Sequence, residues 1–166
     1  MKYLISLLFL YLSYSSMSQT YIDVAPSLSN IPGTLKGKSN LSLEVGHQLD
    51  VFSLGLAVGK TTLSPSRRDT STYFEIRPNL NIFQVGKFTN TFTSGIGYVC
   101  NAKQSLLTEL TYGIEYSYTE RLHLNIMFGQ FYYSGLNSAS TETFFGVSIM
   151  YFFKAYKPNS VIKQPN

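Results

Sequence analysis

Two histidines, one cysteine and nine carboxylates are the side chains with which this 166-residue chain could do chemistry. His47 and His123 fall on opposite phases of their segments, each beside a short connection, so they are not expected to meet and no metal site is assigned. Cys100 has no second cysteine to pair with, which excludes an intramolecular disulfide and a zinc cluster, and it reads as a small apolar residue at a strand end. No hydroxyl has a base in plausible reach, so no catalytic residue and no cofactor are assigned, and the chain is not read as an enzyme. What remains is a set of isolated charges in small or apolar surroundings: Glu44, Glu75, Arg77, Glu109 and Glu115. An unpaired carboxylate is costly away from water, so either Arg77 bridges Glu75 and Glu109 while Glu44 and Glu115 stay wet or protonated, or the interior around them holds water and cations.

The elements that must hold these charges are strands, because the apolar residues recur with period two and almost nowhere with period 3.6. Eight such runs are expected: 20–29, 39–48, 51–60, 73–83, 88–99, 105–118, 122–133 and 143–153. In the sixth, Leu106, Leu110, Tyr112, Ile114, Tyr116 and Tyr118 share one face while Glu109, Thr111, Gly113, Glu115 and Ser117 share the other. In the fourth, Phe74, Ile76, Leu80 and Ile82 oppose Glu75, Arg77, Asn79 and Asn81, and Pro78 is expected to mark a bulge.

The first residues set the destination. Met1-Lys2-Tyr3, the apolar stretch from Leu4 to Leu12 and the small polar stretch from Ser13 to Ser18 have the three-part layout of a secretory signal peptide spanning 1–18. That stretch is too short for a helical membrane span, and no later segment is continuously apolar for the ~20 residues a span needs. Taking Lys2 away from the 13 Lys and Arg leaves 12 against 9 Asp and Glu, a net charge of +3, scattered along the chain. That is too small and too diffuse for a nucleic-acid binder. Charged residues make up only 13% of the chain, about half the usual share for a soluble domain, so its surface is short of charge.

The connections after the second, fourth and sixth runs are tight. Those after the first, third and seventh are long and turn-rich, covering 30–38, 61–72 and 134–142. With the N-terminus in the periplasm, the long connections fall outside the cell and the tight ones inside, as in outer-membrane barrels. The face opposite the apolar one is mostly Gly, Ser, Thr, Ala and Asn instead of Lys, Glu and Arg, which suits the lumen of a narrow barrel better than a water-exposed surface. Tyr98, Tyr116, Tyr118, Tyr132, Tyr133, Tyr151 and Phe153 gather towards strand ends as membrane-interface aromatics. Lys36, Lys38, Lys60, Arg67, Arg68 and Lys103 outnumber Asp69 and Glu142 on the outer side, forming a basic rim that could attract lipopolysaccharide phosphates.

Over nearly the whole mature chain this pattern resembles the small eight-stranded outer-membrane barrels of the outer-membrane protein A transmembrane domain and outer-membrane protein X type. The final run, Phe145-Gly146-Val147-Ser148-Ile149-Met150-Tyr151-Phe152-Phe153, is similar to the C-terminal strand signal read by the barrel-assembly machinery, though it does not end the chain. The lipid A deacylases among small barrels place a Ser two residues after a His, whereas His123 is followed by Leu124 and Asn125. The expectation is an all-β, transmembrane up-and-down antiparallel β-barrel of about eight strands over 19–153, followed by a disordered periplasmic tail over 154–166. It would be a monomer in the outer membrane of a Gram-negative-type bacterium, in contact with lipid, with a structural or surface-interaction role. A narrow pore for small solutes and a soluble, exported lipocalin-like barrel holding an apolar ligand are the alternatives.

Overall fold

A computed structural model describes residues 19–30, 38–61, 71–100, 106–135 and 138–162. The proposed signal peptide and the rim residues Lys36, Arg67, Arg68 and Lys103 lie outside them. The described residues form eight strands: β1 (Gln19–Asn30), β2 (Lys38–Leu49), β3 (Phe52–Thr61), β4 (Ser71–Val85), β5 (Phe88–Val99), β6 (Leu106–Ser117), β7 (Leu122–Gly135) and β8 (Ser138–Phe152). Each pairs antiparallel with its neighbour in sequence, and β8 pairs back onto β1, closing the ring.

Closure leaves no free sheet edge along most of the ring, and alternation then sorts the side chains. Every strand sends apolar residues outward, among them Val24, Leu43, Leu56, Ile76, Phe92, Ile114, Phe128 and Ile149, with Leu56 as much as 65% exposed. Two connections at one end are two-residue turns. Gly86 opens the β4–β5 turn with φ 60°, where glycine pays no steric cost, and Asp50 opens the β2–β3 turn with φ 57°, which Asp tolerates better than most residues. Both chain-terminal ends of the ring, the start of β1 and the end of β8, lie at this turn end.

Three expectations about the elements are corrected. The long connection expected over 134–142 is a hairpin, paired down to Gly135 and Ser138. A Ser/Thr-rich stretch beyond the apolar band needs no alternating apolar residues to remain a strand, so composition mimics a loop there. The bulge expected at Pro78 lies four residues on: pairing with β5 lapses beside Pro78 but keeps its register, and the shift comes between Asn81 and Phe83.

The tail expected to be disordered from Lys154 instead lies across the turn end as far as Ile162. β4 overhangs β3, whose pairing stops at Leu80, and the bulge turns two carbonyls towards the open edge. Val161 N donates to Asn81 O (3.0 Å) and Ile162 N to Ile82 O (2.9 Å), with a parallel bridge between Phe83 and Ile162. Asn159 Nδ2 donates to Asp50 Oδ1 at 2.7 Å, and the buried Tyr156 packs its ring 4.5 Å from that of Phe152.

Candidate functional site

The lumen concentrates the charge of the chain. Six of the nine acids in the sequence, Asp23, Glu44, Glu75, Glu109, Glu115 and Glu142, are buried there, against Arg77 as the one buried Lys or Arg among the described residues. At mid-height Arg77 Nε lies 2.7 Å from Glu109 Oε2 and 3.0 Å from Glu75 Oε2, while Nη1 is 3.4 Å from Glu44 Oε2. The bridge expected from Arg77 to Glu75 and Glu109 thus forms, and Glu44 joins it as a third acid. The remaining carboxylate lone pairs are partly taken up by hydroxyls: Tyr21 Oη donates to Glu44 Oε1 at 2.6 Å and Thr111 Oγ1 to Glu109 Oε1 at 2.6 Å.

Small residues across the ladder make room for this group. Arg77 stands opposite Gly55, and Cβ atoms built at Gly55 and Gly95 would run into the carboxylates of Glu44 and Glu75 respectively. The small character of the luminal face noted in the sequence is therefore complementary to a few large side chains and leaves little space. Beside Arg77 and Glu109, bordered by Asn40 and Ser42, there is a space of about 10 Å³, enough for roughly one water.

Both ends of the lumen are closed. At the loop end, Tyr73, Val99, Leu107, Phe131, Tyr133 and Phe144 form an apolar cluster in which Phe131 and Phe144 stack at 4.5 Å. Tyr133, expected at the membrane interface, belongs here, 1% exposed, with its hydroxyl donating to Glu142 Oε2 at 3.2 Å. Glu142, expected on the outer loops, is likewise luminal because β8 extends past it. At the turn end, His123 Nδ1 lies 2.6 Å from Glu115 Oε1, and the imidazole is covered by Phe152 and Tyr156. Burial holds the Tyr156 hydroxyl well above its ordinary range, and Glu115 adds to the effect, so it remains a phenol that donates to Asp50 O (3.4 Å) and accepts from Asn81 Nδ2 (3.1 Å).

The other interface aromatics, Tyr98, Tyr118, Tyr132, Tyr151 and Phe153, are exposed on the outer surface, and Tyr116 is half-buried against Phe88 at 5.0 Å. Of the basic rim, Lys60 is exposed at the loop end of β3 and Lys38 begins β2. His47 faces outward with Nδ1 3.2 Å from Thr20 Oγ1, far in phase from His123, and no group of metal-ligating side chains occurs among the described residues. The sequence reading missed Asp23, placed opposite Glu44 in the β1–β2 register, and His123 as the partner of Glu115.

No protein-family profile matches the sequence, and no curated protein matches it. Solved structures do. Neisserial surface protein A superposes with a TM-score of 0.58 at 9% identity, over 82% of this chain and 97% of that one. The N-terminal β-barrel domain of Pseudomonas aeruginosa OprF gives 0.54 at 12% identity, over 81% and 99%. The de novo designed protein TMB2.3 gives 0.53 at 15%, over 82% and 96%. At such identities the likeness is one of fold, and the chain has the fold of these small eight-stranded barrels.

Proposed function

We propose that this chain is an integral outer-membrane β-barrel, exported by its first 18 residues, that acts in envelope structure or surface interaction and catalyses no reaction. The observation that carries the reading is the inversion of the molecule. Apolar side chains surround the closed ring on all strands, while Arg77 and most of the acids sit in a filled interior. A continuous apolar band of this extent in water would drive association, whereas acyl chains solvate it at no such cost. The soluble lipocalin-like alternative requires the opposite arrangement, with polar residues outside and an open apolar cavity within. The resting lumen, filled at mid-height and capped at both ends, likewise favours a closed barrel over a pore.

Contact with other molecules then falls to the loop end. Moving Glu142 into the lumen removes one acid from the balance of the rim, which strengthens the case for a basic surface attracting lipopolysaccharide phosphates. Lipopolysaccharide retained by wild type and by the Arg67→Ala/Arg68→Ala variant tests this, with weaker retention expected in the variant and equal retention counting against it. For the barrel itself, the mature chain is expected to fold only in detergent or lipid and to migrate differently on gels before and after heating. A monodisperse, folded protein in plain buffer would overturn the reading.

A further inference from the structure

The turn end of the barrel carries a groove that neither the lumen nor the apolar band uses. It encloses about 380 Å³ between three segments: the β4–β5 turn at Gly86 and Lys87, the β6–β7 connection from Ser117 to Glu120, and the tail at Tyr156 to Pro158. Backbone hydrogen bonds build its walls. Ser117 N donates to Lys87 O at 2.9 Å, setting the two connections side by side, and Tyr156 N donates to Glu120 O at 2.6 Å, fixing the tail beneath them. The groove exists because the tail is ordered.

Its chemistry is that of an anion site with an apolar floor. Lys87 and Lys157 line it from different segments, against Glu120 as the single acid, and the Lys157–Glu120 pair is loose at 3.5 Å with both side chains largely exposed. Such an exposed pair leaves Lys157 free to engage another anion. Tyr118, on the rim, is 59% exposed and continues the outward phase of β6 just past Tyr116, where the apolar band ends. The opening therefore sits at headgroup depth, where aromatic rings and lysines meet phosphate.

We propose that this groove binds the headgroup of an anionic phospholipid from the leaflet on the turn side. Its phosphate lies between Lys87 and Lys157, and its glycerol lies against Tyr118. The proposal rests on the outer-membrane reading above and gives it a specific lipid site, distinct from the lipid that merely coats the apolar band. Two bases against one acid favour an anionic headgroup over a zwitterionic one.

The test is native mass spectrometry of the full mature barrel in detergent, with phosphatidylglycerol and phosphatidylcholine of matched chain length. One retained phosphatidylglycerol is expected, in preference to phosphatidylcholine. Retention should fall roughly tenfold or more in Lys87→Ala/Lys157→Ala. Arg121→Ala/Lys154→Ala removes the same charge from the same end but outside the groove lining, and is expected to change retention less than twofold. Absence of headgroup preference, unchanged retention in the groove variant, or an equal loss in the Arg121/Lys154 control overturns the proposal. Each variant is first checked for the heat-modifiable gel shift. A chain that dissolves folded without detergent overturns the membrane reading and this site with it. A chain that needs detergent but shows no lipid preference overturns the site alone.

Discussion

Arg77 serves three carboxylates with one guanidinium, whose five donors in a fixed fork allow a single side chain to do this. Without it, Glu44, Glu75 and Glu109 face one another in a space that admits roughly one water. Arg77→Met is therefore expected to lower stability by about 3–5 kcal/mol, read as the urea midpoint of the heat-modifiable form in detergent micelles. Arg77→Lys, which keeps the charge but loses the fork, should recover only part of the loss. Glu75, Arg77 and Glu109 were legible in the sequence because each is a charge on the small-residue phase of an otherwise apolar strand. The same phase rule places Tyr132 outside and Tyr133 inside, once Leu124, Ile126 and Phe128 define the outward side of β7. Reading the two tyrosines together as interface residues let the preference of Tyr for headgroups override the geometry of the strand. Glu115 and His123 were not legible as partners, because their diagonal contact depends on the β6–β7 register, in which Glu115 faces Asn125.

At the scale of the elements, the lumen is packed by pairing large residues with glycine across the ladder. Tyr21 faces Gly46, Tyr73 faces Gly59 and Phe144 faces Gly129, and a Cβ on any of these glycines would meet the partner's ring or a neighbour's side chain. Gly59→Val should thus cost about 1–3 kcal/mol by overpacking. Combining it with Tyr73→Ala should cost less than the two changes summed, because the second removes the ring that the first strikes. A double-mutant cycle on urea unfolding checks this, and strict additivity would contradict the packing account. The strands themselves were readable from their period, but the order in the tail was not. Lys154 to Ile162 has no alternation, includes Pro158, and acquires structure from Asp50, Asn81, Ile82 and Glu120, which stand together only in the folded barrel. Tyr156→Ala should release this segment and leave the ring intact. A protease is expected to remove the C-terminus of the folded barrel at least tenfold faster than in wild type, without loss of the heat-modifiable band.

For the whole molecule, the distribution of charge is inside out in sign as well as in place. Most of the acids are interior. Outside, the described residues offer only Asp50 and Glu120 as acids, while Lys60, Lys87, Arg121, Lys154 and Lys157 are exposed. The surfaces that flank the apolar band are therefore basic at the turn end and carry Lys60 at the loop end. Planar bilayers containing the purified protein are expected to stay electrically quiet, since an ion would have to displace the Phe131–Phe144 stack, the Arg77 group and the Phe152–Tyr156 contact in turn. A steady cation-selective current from the wild-type chain would contradict the closed interior.

β8 and β4 stand four strands apart in a ring of eight, so the segment that leaves one and fastens to the other runs along a diameter. A hoop without such a spoke can ovalise when the surrounding bilayer squeezes it; with the spoke in place, widening or flattening along that axis must first pull Val161 and Ile162 off their carbonyl partners.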